Sequence, residues 1–296
     1  MSASFARVAD PNPWLTRRVL NYAHQGGARE GPSSTLFALQ QAVAGGADAL
    51  ELDVHCTADR QLVVCHDPTV DRTTNGQGAI CDMALDDLAE LDNAYWWVPG
   101  EVVATDRPDD EYVYRGRAMF ETSLRVSTLC DVLEQFRGVF LNLDIKQTAP
   151  HVEPYETLLA DLLREYNRRD DVIVASFWDN ATDAFSVAAP EIHTSYGSAG
   201  TAVFWQAVQQ KTPPAPSRHV ALQVPSHFEA ITVVDEAFVT AAHDQGVAVH
   251  VWTIDEPDEM ARLIDLDVDG IMTDRPSVLD RVLREKGAGW SPQSVA

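Results

Sequence analysis

Basic residues are scarce in this chain of 296 residues: 22 Lys and Arg stand against 45 Asp and Glu, a net charge of −23 at neutral pH. So acidic a surface excludes nonspecific nucleic-acid binding, which needs positive charge, and it repels anionic membranes. Long apolar runs are missing too, and no stretch approaches the roughly 18 consecutive apolar residues of a transmembrane helix. The opening residues, MSASFARVADPNPWLTRR, have neither an apolar core nor a small-residue cleavage site and do not read as a secretory signal. Only four cysteines occur, Cys56, Cys65, Cys81 and Cys130, with no C-x-x-C among them. They sit in apolar or mixed runs, as small core residues of a reducing compartment do, and the cytoplasm is the expected location. His55-Cys56 and Cys65-His66 do not make a zinc site, because adjacent strand residues point to opposite faces. No G-x-G-x-x-G follows the first strand-like run, so a dinucleotide-binding fold lacks its fingerprint. Internal repeats and low-complexity tracts are absent as well.

What the chain does have is rhythm. Strand-like apolar runs at 19–24, 49–56, 61–66, 139–146, 172–177, 192–196, 220–224, 247–254 and 270–273 alternate with amphipathic stretches. The latter lie at 34–44, 128–136, 154–166, 181–188, 234–244, 256–266 and 276–284. Repeated strand–helix units with near-continuous apolar strands mean a parallel sheet covered by helices. With 61–66 counted as a partner of the run before it, about eight units remain, which fits a closed (β/α)8 TIM barrel better than an open doubly wound sheet. The expected class is α/β, with one barrel domain over residues 1–296. Two segments break the rhythm. Residues 68–123 are rich in Gly, Pro and charge and carry Tyr95, Trp96, Trp97, Tyr112 and Tyr114. A structureless loop of that length is rare in a compact domain, so a small inserted subdomain or lid after the second strand region is expected. Its aromatic run either fills the insertion's own core or walls an apolar leaving group. Residues 211–218, KTPPAPSR, read as a proline-rich connector.

Polar residues then appear where a buried parallel strand should have none. In ALELDVHC, Glu51, Asp53 and His55 alternate with Leu50, Leu52 and Val54; in FLNLDIK, Asn142, Asp144 and Lys146 alternate with Leu141, Leu143 and Ile145. The first strand ends in His24, LVV ends in Cys65-His66-Asp67, and VHVWTI puts His250 and Trp252 on a common face. This alternation is apolar towards the helices and polar towards the barrel axis. It falls at the C-terminal mouth, where such barrels carry active sites. Buried carboxylates cost several kcal/mol each without a cation. Glu51, Asp53 and Asp144 therefore offer oxygen ligands to one hard divalent ion, Mg2+ or Ca2+. The structural alternative is ion pairing with Lys146 and local arginines. His24 and His66 are the candidate acid–base pair, since imidazole titrates near neutrality; singly, either would be an ordinary buried ring.

These residues fall in ordered motifs: YAHQGG (22–27), ALELDV (49–54), VVCHDP (63–68), DRTTNG (71–76), LNLDIK (141–146), VWT (251–253) and GIMTDRP (270–276). The ordered set resembles glycerophosphodiester phosphodiesterases over residues 19–285, with 93–123 and 199–218 unmatched or weakly matched. The resemblance implies a TIM barrel that hydrolyses glycerophosphodiesters to an alcohol and glycerol 3-phosphate. It implies that Glu51, Asp53 and Asp144 bind the divalent ion and that His24 and His66 are general acid and base. It further implies that Lys146 faces the phosphate and that Trp252 walls the glycerol side. The physical logic agrees, because a cation and an ammonium neutralise a phosphate whose charge concentrates in the transition state. In-line displacement then needs a base on one side and an acid on the other.

Three departures from the family pattern matter. The family usually has His-Arg-Gly, whose arginine helps hold phosphate; Gln25 stands there and supplies hydrogen bonds without charge. Either phosphate affinity is lower, or Arg29, Arg72 or Arg275 stands in. The common Pro-Glu-Asn-Thr run appears as Pro32-Ser33-Ser34-Thr35. The third metal ligand is often Glu and is Asp144, which draws the carboxylate back by roughly 1.5 Å. Asp at this position also occurs in branches resembling lysophospholipase D, making lysophospholipids the alternative substrate; a non-catalytic phosphodiester-binding barrel is a third reading. Residues 71–76 are expected to form a turn, with Arg72 alternatively a site residue. Asp274-Arg275-Pro276 is expected to cap the last helix, Pro276 suiting a first helical position.

Overall fold

The computed structural model describes residues 12–290; the reading of residues 1–11 as free of a secretory signal lies outside them. Eight parallel strands form the framework: β1 (Leu20–His24), β2 (Ala49–Cys56), β3 (Phe140–Ile145), β4 (Val172–Ala175), β5 (His193–Thr194), β6 (Ala221–Pro225), β7 (Ala248–Trp252) and β8 (Gly270–Thr273). Their order is β5-β4-β3-β2-β1-β8-β7-β6, and a parallel bridge from Ser195 to Ala221 joins the two ends. The sheet thus closes into the expected (β/α)8 barrel. Between each strand and the next lies one helix of the outer layer: Leu36–Ala44, Leu129–Gln135, Glu156–Glu165, Asp179–Ala188, Ser198–Gln209, Glu236–Asp244, Pro257–Asp265 and, after β8, Pro276–Lys286; a further short helix, Leu85–Ala89, lies between β2 and β3. The sequence pattern missed Ser198–Gln209 and Leu85–Ala89 and located the rest.

Local chemistry sets the helix ends. The Thr35 hydroxyl accepts from the Ala38 amide, and Thr128 and Asp131 form a reciprocal capping box. Pro257 and Pro276 open their helices at positions where no amide is needed. Gly287, at φ +63°, ends the last helix in the left-handed region open to glycine.

Period-two alternation separates two cores. Outward side chains such as Leu50, Leu52, Val54, Leu141, Leu143 and Ile145 pack under the helices, and Val249, Val251 and Ile271 do the same on the opposite side. Fully burying each such side chain is worth about 1.5–3 kcal/mol. Inward side chains fill the barrel instead: Leu20, Tyr22, Ala49, Phe140, Ile173, Ala221, Ala248 and Met272. Trp14 plugs the lower end, edge-on to Phe140 at 5.8 Å, and its indole N–H donates to His193 Nδ1 at 2.9 Å. Above this apolar filling the inward positions turn polar.

The stretch after β2 folds back as a short strand, Leu62–Val64, antiparallel to the end of β2, and Ser127–Thr128 pairs with it in turn. Between them residues 68–123 hold only short helical turns, organised by small apolar clusters around Val70, Ile80 and Leu88 and around Val98, Ala104 and Tyr112. The Arg115 guanidinium stacks on Tyr95, Trp96 and Tyr112, while the Trp97 indole donates to the Ala28 carbonyl. The aromatic run therefore serves the insertion's own packing. A second extra piece, the hairpin His227–Phe228/Ile231–Thr232, follows β6.

Candidate active site

The polar layer arises from register. His24 aligns with Glu51, Glu51 with Asn142, and Asp53 with Asp144 across β1, β2 and β3. All are inward positions, stacked above the apolar Tyr22, Ala49 and Phe140 on the same faces, so one face of three adjacent strands delivers them to the C-terminal mouth. His66 arrives differently, carried back to the mouth just after Leu62–Val64. A cavity of about 590 Å³ opens there, lined by His24, Glu51, Asp53, His66, Asp144 and Lys146 together with Trp252.

The carboxylates are buried and short of partners. Lys146 Nζ lies 3.0 Å from Asp53 Oδ1 and 3.5 Å from Asp144 Oδ2. That leaves Glu51 Oε2, Asp53 Oδ2 and Asp144 Oδ1 buried with no hydrogen-bond partner. Burial, reinforced by the charge of Asp53, pushes Glu51 up to about 8. Burial likewise raises Asp144 to about 6, although Lys146 opposes it. Lys146 would be depressed by its burial, but Asp53 and Asp144 hold it above the usual lysine range. Among the described residues no three metal-ligating side chains converge tightly enough to form a closed ion cage, the Lys146 ammonium standing between two of the acids. The donor set itself, three orphaned carboxylate oxygens on one face, has the chemistry a hard divalent ion needs.

Each histidine is held by a carboxylate of its own. His24 Nδ1 is 2.6 Å from Asp274 Oδ1, and Glu51 Oε2 lies 3.8 Å from Nε2. Burial by itself would lower the His24 imidazole, but the Asp274 hydrogen bond and the charges of Glu51 and Asp53 lift it to about 9. His66 Nδ1 is 2.6 Å from Asp67 Oδ1, and Arg72 clamps the same carboxylate with contacts of 2.6 and 3.0 Å. Against the pull of burial, His66 and Arg72 keep Asp67 well below the usual carboxylate range. The two imidazoles stand edge to face, 6.3 Å between centroids.

Two expected substrate contacts lie elsewhere. Gln25 is buried beside the cavity rather than in it: its Nε2 lies 3.1 Å from His24 Nε2, and its Oε1 accepts from the Ser33 hydroxyl at 2.5 Å. The Gln25–Ser33 couple thus links two of the departures from the family motif in one neutral hydrogen bond. Arg72 is occupied by Asp67, and Arg29 by Asp255 at 3.0 Å. Asp274, expected as a helix cap, turns its side chain to His24 instead, and Arg275 at the N-cap makes no side-chain cap. The signal was present: Gly270, Met272 and Asp274 alternate along the inward face of β8. Phe177, Tyr196, Trp205, Phe228 and Ile231 also line the cavity, and no motif or period marks them in the sequence.

The mouth of the closed barrel thus gathers two histidines, an ammonium and three carboxylates. The chain matches the model of the glycerophosphoryl diester phosphodiesterase family over residues 24–278 and belongs to that family. It is 31% identical over 278 residues to a glycerophosphodiester phosphodiesterase of Caldanaerobacter subterraneus, covering 91% of this chain and 100% of that one. Two solved structures share the fold. One, a glycerophosphodiester phosphodiesterase of Agrobacterium tumefaciens, superposes with a TM-score of 0.68 at 23% identity, over 90% of this chain and 99% of the other. The second, an Oleispira antarctica phosphodiesterase in complex with the product sn-glycerol-3-phosphate, gives 0.66 at 21% identity, over 89% and 96%. Among the described residues no helix is long and apolar enough to cross a membrane.

Proposed function

We propose that the chain hydrolyses glycerophosphodiesters to an alcohol and glycerol 3-phosphate, with His24 and His66 moving the protons. One observation carries the reading: three orphaned carboxylate oxygens, from Glu51, Asp53 and Asp144, face the same cavity as both imidazoles. Those three residues would hold one Mg2+ or Ca2+, which supplies positive charge to the phosphate oxygens as they gain negative charge. Lys146 adds its ammonium to the same oxygens. With Nδ1 held by Asp274 or Asp67, each ring presents its other nitrogen in a fixed direction. One imidazole takes a proton from the attacking water as the new P–O bond forms, and the other donates a proton to the departing alkoxide oxygen as the old bond breaks, giving the alcohol and glycerol 3-phosphate. Gln25 and Arg72 act through the rings, Gln25 by its bond to His24 and Arg72 through Asp67. Trp252 forms the wall beside the glycerol. The named activity of the Caldanaerobacter relative supports the substrate class. Four free cysteines support a reducing compartment, the cytoplasm.

The test is glycerol 3-phosphate release from glycerophosphocholine, measured with Mg2+, with Ca2+ and with chelator. Cation-dependent release that disappears in His24→Ala is the expected result. A folded protein that binds the cation and releases nothing would sink the proposal.

A further inference from the structure

β1 and β8 run in register only as far as Ala23 and Thr273. His24 and Asp274 come next on the two chains, so the ladder between these strands does not set the 2.6 Å contact of their side chains. His24 is fixed from its other side, where it pairs with Glu51 of β2. Asp274 is instead held by two groups from outside the sheet. Its amide donates to Asp255 Oδ1 at 2.9 Å, and its carbonyl accepts from the Arg29 amide at 3.1 Å. Asp255 lies in the segment after β7 and Arg29 in the segment after β1. Their side chains close the ring, Arg29 Nε standing 3.0 Å from Asp255 Oδ2. Asp255 Oδ1 also accepts from the Thr273 hydroxyl at 3.1 Å, so one carboxylate oxygen gathers two groups at the end of β8. Buried main-chain groups need partners, and here a side chain does what a neighbouring strand does elsewhere.

Arg29 is in turn gripped by the insertion. Its carbonyl accepts from the Gly100 amide at 3.0 Å, and its Nη1 donates to the Gly100 carbonyl at 3.3 Å. One residue earlier, the Ala28 carbonyl takes the Trp97 indole N–H at 2.9 Å. An unbroken series of contacts therefore runs from residues 97–100 through Arg29 and Asp255 to Asp274 and the His24 ring. Resting on the diesterase reading above, we infer that Arg29 and Asp255 are positioning residues for His24, acting through Asp274, and that the insertion serves the reaction by holding Arg29. Arg29 then works as a strut and not as a phosphate ligand.

Steady-state assays on glycerophosphocholine, with the divalent cation present, test this. Asp255→Ala frees the Asp274 main chain, and the displaced orienting carboxylate should lower kcat about 10- to 100-fold with KM little changed. Asp255→Asn keeps an acceptor for the Asp274 amide and should recover much of that loss. Arg29→Met and Asp255→Asn break one shared ion pair, so the double variant should be no slower than the slower of the two. On an Asp274→Ala background, Asp255→Ala should cost nothing further, because the path to His24 is already cut. Trp97→Phe keeps an aromatic ring, loses the indole N–H and should lower kcat severalfold. Nitrogen NMR of labelled histidines reads the His24 ring without turnover, its signals assigned by their loss in His24→Ala. The Nδ1 signal should move in Asp255→Ala and return towards the wild type in Asp255→Asn. An unmoved signal, or a full further loss on the Asp274→Ala background, overturns the positioning role; an unchanged kcat in Trp97→Phe overturns the insertion's part. If the wild type releases no glycerol 3-phosphate, yet the signal follows Asp255, the positioning role stands and the diesterase reading falls.

Discussion

His250 gives the fold an acid sensitivity that one substitution should remove. Its ring is fully buried in the barrel interior, 5.1 Å from the Tyr22 ring and 6.2 Å from that of Trp14, and neither ring nitrogen has a partner. Gly270 makes the room: a Cβ there would sit 2.8 Å from Tyr22 and 3.0 Å from His250. Burial depresses the imidazole from 6.5 to about 3. Between those two values the unfolded chain binds a proton that the folded chain refuses. Stability from this group is therefore complete above pH 6.5 and drains away as the pH falls towards 3. Lowering the pH to 5 crosses about 1.5 pH units of that window, a loss of about 2 kcal/mol. His250→Leu keeps the volume and removes the titration. Urea unfolding of both proteins at pH 7.5 and pH 5 isolates the term, because every other titrating group is shared. The wild type should lose about 2 kcal/mol more than the variant. Parallel losses would refute the reasoning and mean that the folded barrel accepts the proton.

Lys146→Met leaves Asp53 and Asp144 without their ammonium, and breaking a buried pair costs about 3–5 kcal/mol; denaturant unfolding in chelator reads this, and added Mg2+ or Ca2+ should return part of it. Asp274→Asn removes the charge that orients His24, so kcat should fall by about 10²- to 10³-fold with KM little changed and an altered pH–rate profile. Trp14→Ala empties the lower end of the barrel and should cost about 3–5 kcal/mol in unfolding while leaving KM near its original value.

The fold was legible because burial enforces alternation. In β2 and β3 every second residue must suit the helix layer, so Glu51, Asp53, Asn142 and Asp144 stood out as inward and polar. The helix Ser198–Gln209 escaped for the opposite reason. Only Phe204 of its side chains is buried while Val203 is 64% exposed, and it borders a cavity, so no clean apolar stripe develops. The site was legible wherever a strand carried it. Asp274 was not, because a carboxylate before a proline-led helix looks like a cap, and only the register of β8 aims it at His24. Asp67 and Arg72 belong to a turn whose geometry no period describes. The apolar wall of the cavity was hidden most deeply, being assembled from a helix and a hairpin on either side of β6 together with Phe177 and Trp252 from other units.

β2 and β3 share six registered pairs, whereas β5 and β6 meet through the single Ser195–Ala221 bridge. The carboxylate-bearing half of the mouth is thus built on the best-stitched part of the ring, and the two segments that shape the apolar wall flank its loosest stitch. The carboxylates and the apolar wall stand on separate arcs of the mouth. Residues 198–209 and 227–232 can therefore be rewritten with little disturbance to the strands that carry Glu51, Asp53 and Asp144.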